Sequence, residues 1–240
     1  MRVITVEAPC NKQQTDRLVR FCRDLDGTEI EVLRPVQPGW EYGPHLAAWA
    51  FYQACRESRT EPFLWIEPDC SPLVAGWLDF ISSCYERKFN DGWGILLPYP
   101  SKTIHDTASG IAVYPRGILG ALPELEFFRN SNYGWDWWVE DHLRGLIKRT
   151  SLIQHSYGIY NHERLVKRHR FPRDLWGIRP NAVLFHSDKK QELLMLHEKN
   201  DEGCHIRDYM LRCNDPSGRY NAVHGIGKSG EGATGNLQAE

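Results

Sequence analysis

The sequence predicts an α/β fold: a single domain built on a mainly parallel sheet flanked by helices. Three observations predict it. The first hundred residues alternate short β-branched or aromatic runs with longer stretches of helical period. A length of 240 residues suits one domain, or one and a half by the rule of ~150 residues each. With 41% hydrophobic, 12% aromatic and 25% charged residues and a net charge of -2, composition is globular and excludes a disordered, collagen-like or coiled-coil chain.

The elements follow in order. Arg2–Val6 is a β-branched run and the first strand. Lys12–Arg23 carries Leu18, Val19 and Cys22 at helical spacing. Ile30–Leu33 is a second apolar run, followed by a loop at Pro35, Pro38 and Gly39. His45–Glu57 reads as a helix through Leu46, Trp49, Ala50 and Tyr52. Phe63–Ile66 is a third run and stops at Glu67-Pro68-Asp69. Pro72 fits the first turn of a helix over Leu73–Tyr85. Trp93–Leu97 is a fourth run, closed by Pro98 and Pro100. Further on, Ser109–Tyr114 reads as a strand, Asp136–Lys148 as a helix, Ser151–Gln154 and Ala182–Phe185 as strands, and His205–Cys213 as a last short helix. The chain divides into a domain over residues 1–200 and a C-terminal extension over 201–240 with a Gly-rich, mobile tail.

No apolar run reaches the ~20 residues that span a bilayer. The opening MRVITVEAP is too short and too acidic for a signal peptide. The seven cysteines are odd in number and form no CxxC pair, so free thiols in a reducing, cytoplasmic setting are expected.

The chemistry concentrates at FLWIEPDCSPL, residues 63–73. An apolar strand ends in two carboxylates one residue apart, Glu67 and Asp69, whose side chains share a direction if strand geometry persists to the tip. Like charges this close need a cation, a donor or a raised pKa. A hard divalent ion with oxygen ligands is a natural partner and leaves positions for substrate phosphates. The same residues also read as a helix start, with Asp69 or Ser71 as the cap.

The segment resembles the metal-binding acidic motif of GT-A fold glycosyltransferases, an Asp-x-Asp or variant at a strand end. Other segments follow in that family's order. Ser109–Tyr114 is similar to its acceptor-side strand, which starts with small residues. Trp135-Asp136-Trp137-Trp138-Val139-Glu140-Asp141 resembles the helix start carrying the acidic catalytic residue. Leu184-Phe185-His186-Ser187-Asp188-Lys189 is similar to the late strand whose His completes the metal site. The resemblance spans about residues 1–200 and implies a GT-A-like mixed sheet and sugar transfer from a nucleotide-diphosphate sugar, a UDP-sugar by preference. It implies Mn2+ or Mg2+ on Asp69 and His186, with Glu67, which replaces the family's first Asp, and Lys189 on the donor side. Asp136 is the first candidate for a base, with Asp141 or Glu140 behind it; a retaining transfer needs no base there. As local structure alone, Asp136 is a helix-start charge and His186 a strand-end core histidine.

Charge placement adds a partner. Residues 144–173 hold eight basic side chains, among them Arg164, Lys167, Arg168, Arg170 and Arg173, against Glu163 alone, a local charge of +7. Such a patch fits a polyanion, and Tyr157, Tyr160, Phe171 and Trp176 are placed to stack on bases; it fits equally a solvated basic loop. His155, His162 and His169 recur every seven residues there, which reads as coincidence. The combination resembles the compact virus-encoded enzymes that glycosylate hydroxymethylated pyrimidines in phage DNA. That implies double-stranded DNA as partner, the basic segment on its phosphates, and Tyr133, Trp135 and Trp137 beside sugar or base, with core packing for at least one Trp. A glycan, lipid or protein acceptor, or DNA binding without catalysis, are the alternatives. Ala222–Ser229 fits a loose phosphate-loop pattern, but the residues after it cannot build the required helix.

Overall fold

The computed structural model describes residues 1–34, 43–99, 110–122, 135–155, 181–186, 191 and 194, and gives the backbone alone for 43–45, 137, 138 and 141. The chain opens with strand β1 (Arg2–Val6), helix α1 (Lys12–Asp26), β2 (Glu31–Leu33), α2 (Gly43–Glu57) and β3 (Phe63–Trp65). A short strand β4 (Cys70–Pro72), helix α3 (Trp77–Lys88), β5 (Ile95–Tyr99) and β6 (Ala112–Tyr114) come next. Helix α4 (Trp135–Leu143), β7 (Ile147–His155) and β8 (Leu184–His186) complete the described elements.

The strands form one mixed sheet in the order β2-β1-β3-β6-β5-β7-β8-β4. β1 runs parallel to β2 and β3, and β7 parallel to β5 and β8. β6 lies antiparallel between β3 and β5, and β4 antiparallel to β8 at the end of the order. The parallel β1-α1-β2 and β2-α2-β3 units follow from the alternation of apolar runs and helical stretches.

Period-2 alternation splits the core into two layers. Leu64, Ile66, Leu96, Val113 and Ile153 pack with Leu18, Phe21, Cys22, Trp77 and Ile81 of α1 and α3. Phe63, Trp65, Ile95, Leu97 and Tyr114 pack with Phe51, Ala54 and Cys55 of α2 and with Trp135 and Val139 of α4. The second layer is aromatic: Trp135 stacks on Phe51 with centroids 3.9 Å apart and meets Trp65 edge-on at 5.9 Å. Trp135, expected beside sugar or base, is thus a core residue, 5% exposed. Gly27, at φ 78°, ends α1 in the left-handed conformation and returns its N–H to Arg23 O.

Three expectations about elements are corrected. Residues 70–72 form strand β4, not a helix start, so neither Asp69 nor Ser71 is a helix cap. Pro72, with no N–H to give, sits in the last strand of the sheet, and Leu73 N–H instead bonds Val183 O at 2.9 Å. The helix begins only at Trp77, after Gly76 at φ 72°, whose N–H is held by Asp26 Oδ2 at 2.8 Å. Pro98 lies inside β5 rather than closing it. The register slips directly after it, where β7 passes from Thr150 to Gln154 opposite Pro98 and Tyr99. The helix expected over 136–148 stops at Leu143; Arg144–Leu146 make a tight turn, and Ile147 and Lys148 begin β7. Gly145 weakens the helix there, and the following β-branched residues favour a strand.

Cys10, Cys22, Cys55, Cys70 and Cys84 are free thiols. No helix among the described residues is long and apolar enough to cross a membrane. The expected loop at 35–39, the strand start at Ser109, the helix over 205–213 and the extension 201–240 lie outside the described residues.

Candidate metal centre

The site forms where β3 leaves the sheet. Strand geometry does not persist to Asp69. Cys70 N–H bonds Glu67 O at 3.0 Å, which closes a turn with Pro68 in its second position, the place where a fixed φ favours turning. The turn brings both carboxylates to the end of β8. His186 Nε2 lies 3.0 Å from Glu67 Oε2 and 3.2 Å from Asp69 Oδ1. One ligand atom from each of Glu67, Asp69 and His186 falls within 4.8 Å of the others. Asp69 and His186 are buried, while the Glu67 side chain keeps 36% exposure and opens the site on one side.

Gly110 makes room for Glu67. A Cβ at position 110 would stand 2.0 Å from Glu67 Oε1 and 2.9 Å from its Cδ, so any larger residue displaces that carboxylate. The small residue at this strand start therefore has a steric reason.

Two residues outside the acidic motif hold the site in place. His155 ends β7 directly opposite His186 in register, and the Nδ1 atoms of the two rings are hydrogen-bonded to each other. Gln191 is fully buried and adopts φ 52°, rare for a residue other than glycine. Its Nε2 donates to Pro68 O at 2.9 Å and to Gln14 O at 2.7 Å, and its Oε1 accepts from Arg17 at 3.2 Å. It ties the chain after β8 to the middle of the acidic turn and to α1. Sequence reasoning missed both. His155 carried one signal: like His186, it closes an apolar strand, in SLIQH and AVLFH. Gln191 carried none.

Electrostatics mark the cluster as short of positive charge. Burial lowers the His186 pKa, but Glu67 and Asp69 outweigh it and push it from 6.5 up to about 9. Even with His186 charged, two carboxylates face one cation. Burial, then Asp69 and Glu67, push the Cys70 thiol up, so it stays protonated. Burial raises the Tyr114 phenol, and Cys55, Asp136 and Glu67 add to it, so the charges of Asp136 and Glu67 both reach this ring.

The donor set of two carboxylates and an imidazole fits a divalent ion such as Mn2+ or Mg2+: hard oxygen ligands with one nitrogen, one side open. Of the expected acidic residues, Asp136 lies in the first turn of α4 and is partly exposed. Glu140 is bound by Arg149 at 2.8 Å, and that guanidinium also donates to Pro98 O at 3.0 Å. The side chain of Asp141 lies outside the description, as do Lys189, Tyr133, Trp137, Arg164, Lys167, Arg168, Arg170 and Arg173. Beside α3, Arg87, Lys88, Arg149, Ser151 and Asn181 line an open polar cavity of about 440 Å³. Lys148 of the basic stretch bonds the Lys88 carbonyl.

No protein-family model matches the chain, and no curated protein matches it by sequence. Solved structures do. A glycosyltransferase involved in glycosylation of the major capsid of PBCV-1 superposes with a TM-score of 0.51 at 13% identity, over 88% of this chain and 98% of that one. The glycosyltransferase GlyE of Streptococcus pneumoniae TIGR4 superposes with a TM-score of 0.51 at 11% identity, over 88% of this chain and 59% of that one. The mixed sheet, eight-stranded among the described residues, with its flanking helices is the fold of GT-A glycosyltransferases.

Proposed function

We propose that this protein is a metal-dependent glycosyltransferase that moves a sugar from a nucleotide-diphosphate donor, a UDP-sugar by preference. The observation that carries the reading is the convergence of Glu67, Asp69 and His186 at the ends of β3 and β8 in a GT-A-like sheet. Residues 67 and 186 are 119 positions apart in sequence. Asp69 and His186, with Glu67 beside them, hold the divalent ion. When bound, that ion offsets the charge that grows on the diphosphate as the glycosidic bond breaks.

The chain's own groups do the rest. The Glu67–Cys70 turn keeps the carboxylates facing the donor side, and Gly110 keeps space for Glu67. Lys189 adds a point charge for the β-phosphate. In an inverting transfer Asp136 takes the proton of the acceptor hydroxyl at its carboxylate, with Asp141 as the second candidate. Glu140 is unsuited, since Arg149 already engages its carboxylate.

For the acceptor we propose a hydroxymethylated pyrimidine in double-stranded DNA. The support is the charge of residues 144–173, with Arg164, Lys167, Arg168, Arg170 and Arg173 on the phosphates. Within the described part of that stretch, Arg149 and Lys148 already bond carbonyls of the protein itself, so this reading rests chiefly on residues 164–173. In that reading residues 201–240 extend a catalytic domain of residues 1–200, and the protein works in the cytoplasm of the cell that makes it, a phage host if the gene is viral.

Incubating hydroxymethylated DNA with a panel of nucleotide sugars, followed by mass spectrometry, tests both halves. Sugar addition that stops with EDTA and with Asp69→Ala supports the whole reading. Donor hydrolysis with unmodified DNA keeps the enzyme and moves the acceptor to glycans, lipids or proteins. Neither hydrolysis nor transfer with any donor removes the enzymatic reading.

A further inference from the structure

We propose that His155 is a positioning residue for the metal centre: it accepts the Nδ1 proton of His186, so that when the ion displaces the other proton it is Nε2 that faces Glu67, Asp69 and the ion. The proposal rests on the metal reading above and adds the residue that prepares the nitrogen ligand.

The geometry is specific. His155 and His186 are the last residues of adjacent parallel strands and face each other in register. Their ring centroids lie 4.5 Å apart with planes inclined by 33°, and they join through Nδ1 on both sides. His186 therefore uses Nδ1 toward His155 and Nε2 toward the two carboxylates.

A neutral imidazole has one N–H and one lone pair. To bind a cation through Nε2, His186 must keep its proton on Nδ1. That nitrogen is in the interior, since His186 is 3% exposed, and the atom it meets there is His155 Nδ1. The lone pair of His155 Nδ1 supplies the acceptor, which places the His155 proton on its Nε2. With Nε2 on the ion, this one hydrogen bond then assigns both tautomers. A histidine ligand is commonly oriented by a partner on its second nitrogen, a carboxylate, carbonyl or water. Here the partner is a second histidine on the neighbouring strand.

The full-length chain tests this with Mn2+ alone, read by electron paramagnetic resonance of the free ion. His155→Leu removes the acceptor and keeps most of the volume. His155→Asn restores an acceptor, because its Oδ1 occupies about the place of Nδ1. His155→Leu is expected to weaken Mn2+ binding roughly ten- to a hundredfold, and His155→Asn to return to within about threefold of the unaltered chain. The 15N shifts of His186 in the Mg2+-loaded unaltered protein are expected to show the proton on Nδ1. A proton on Nε2, unchanged affinity in His155→Leu, or equal losses in the Leu and Asn variants would each overturn the proposal. If Mn2+ binds in an Asp69-dependent way while His155→Leu has no effect, only this proposal falls. If the unaltered chain does not bind Mn2+, the metal reading falls and this proposal with it.

Discussion

Two sets of carboxylates, one on α4 and one at the end of β3, meet different fates. Glu140 on α4 faces Arg149 at 2.8 Å, one carboxylate against one guanidinium. Glu67 and Asp69 converge on His186 at 3.0 and 3.2 Å, two carboxylates against one imidazole. A guanidinium stays charged at any pH a protein survives, so its partner is permanently answered. An imidazole gives up its proton, and even when charged it answers only half of the negative charge. The first arrangement fastens α4 to β7. The second can exchange its proton for a divalent ion. What separates a structural carboxylate from a functional one here is the kind of counter-charge and whether it can leave.

The sharpest way to break this contrast is to remove one carboxylate from each group. Asp69→Ala is expected to abolish Mn2+ binding and sugar transfer while the circular dichroism spectrum and melting cooperativity stay unchanged. Normal turnover in that variant would end the metal assignment. Glu140→Ala is expected to leave Mn2+ affinity intact and to cost about 2 kcal/mol of stability in denaturant titration, because Arg149 loses its charged partner.

The next effect is pH. In the metal-free protein the His186 pKa is raised to about 9 from 6.5. Its stabilising contribution is therefore fully present below 6.5 and lost as pH rises through 9. Metal binding must displace that proton, so Mn2+ affinity is expected to rise by nearly tenfold per pH unit between about 6.5 and 9 and then to level off. A flat profile from calorimetric titration would mean that His186 does not contribute a ligand nitrogen.

Asp136 shares a face of α4 with Glu140, four residues on. Asp136→Asn is expected to reduce turnover by roughly a hundredfold if Asp136 is the base, with Mn2+ affinity unchanged. Steady-state kinetics at saturating donor decide it, and unaltered turnover transfers the role to Asp141. The smallest expected effect is at Gly110. Gly110→Ala places a methyl against the Glu67 carboxylate, and about a tenfold loss of Mn2+ affinity is expected, with less than ~1 kcal/mol of destabilisation because the flexible end of Glu67 yields first. Mn2+ titration and a thermal melt read the two quantities, and undiminished affinity would place Glu67 outside the coordination shell.

Much of the frame is legible in the sequence. Arg2–Val6 and Phe63–Ile66 are short runs of β-branched and aromatic residues, and the stretch after Lys12 has helical period, so their positions agree with the fold to within a few residues. Asp69 and His186 were singled out because each ends an apolar strand of a recognisable ordered set. Other features were misread for identifiable reasons. Pro72 resembles a helix start, but an end strand tolerates a missing N–H equally well. Trp135, next to an acidic residue, resembles a pocket wall, yet stacking on Phe51 places it in the core. The seven-residue spacing of His155 from two other histidines points along the chain, while its hydrogen-bond partner lies across the sheet.

The sequence alone determined the α/β character and the apolar strand that ends in two carboxylates, because periodicity, proline and adjacent charges act over a few residues. Tertiary structure decided which groups meet. The sheet order places β8 between β7 and β4, and only that order sets two histidines side by side and turns one of them onto a pair of carboxylates. Register between distant strands is fixed by packing both core layers at once, and no local pattern of residues carries that information.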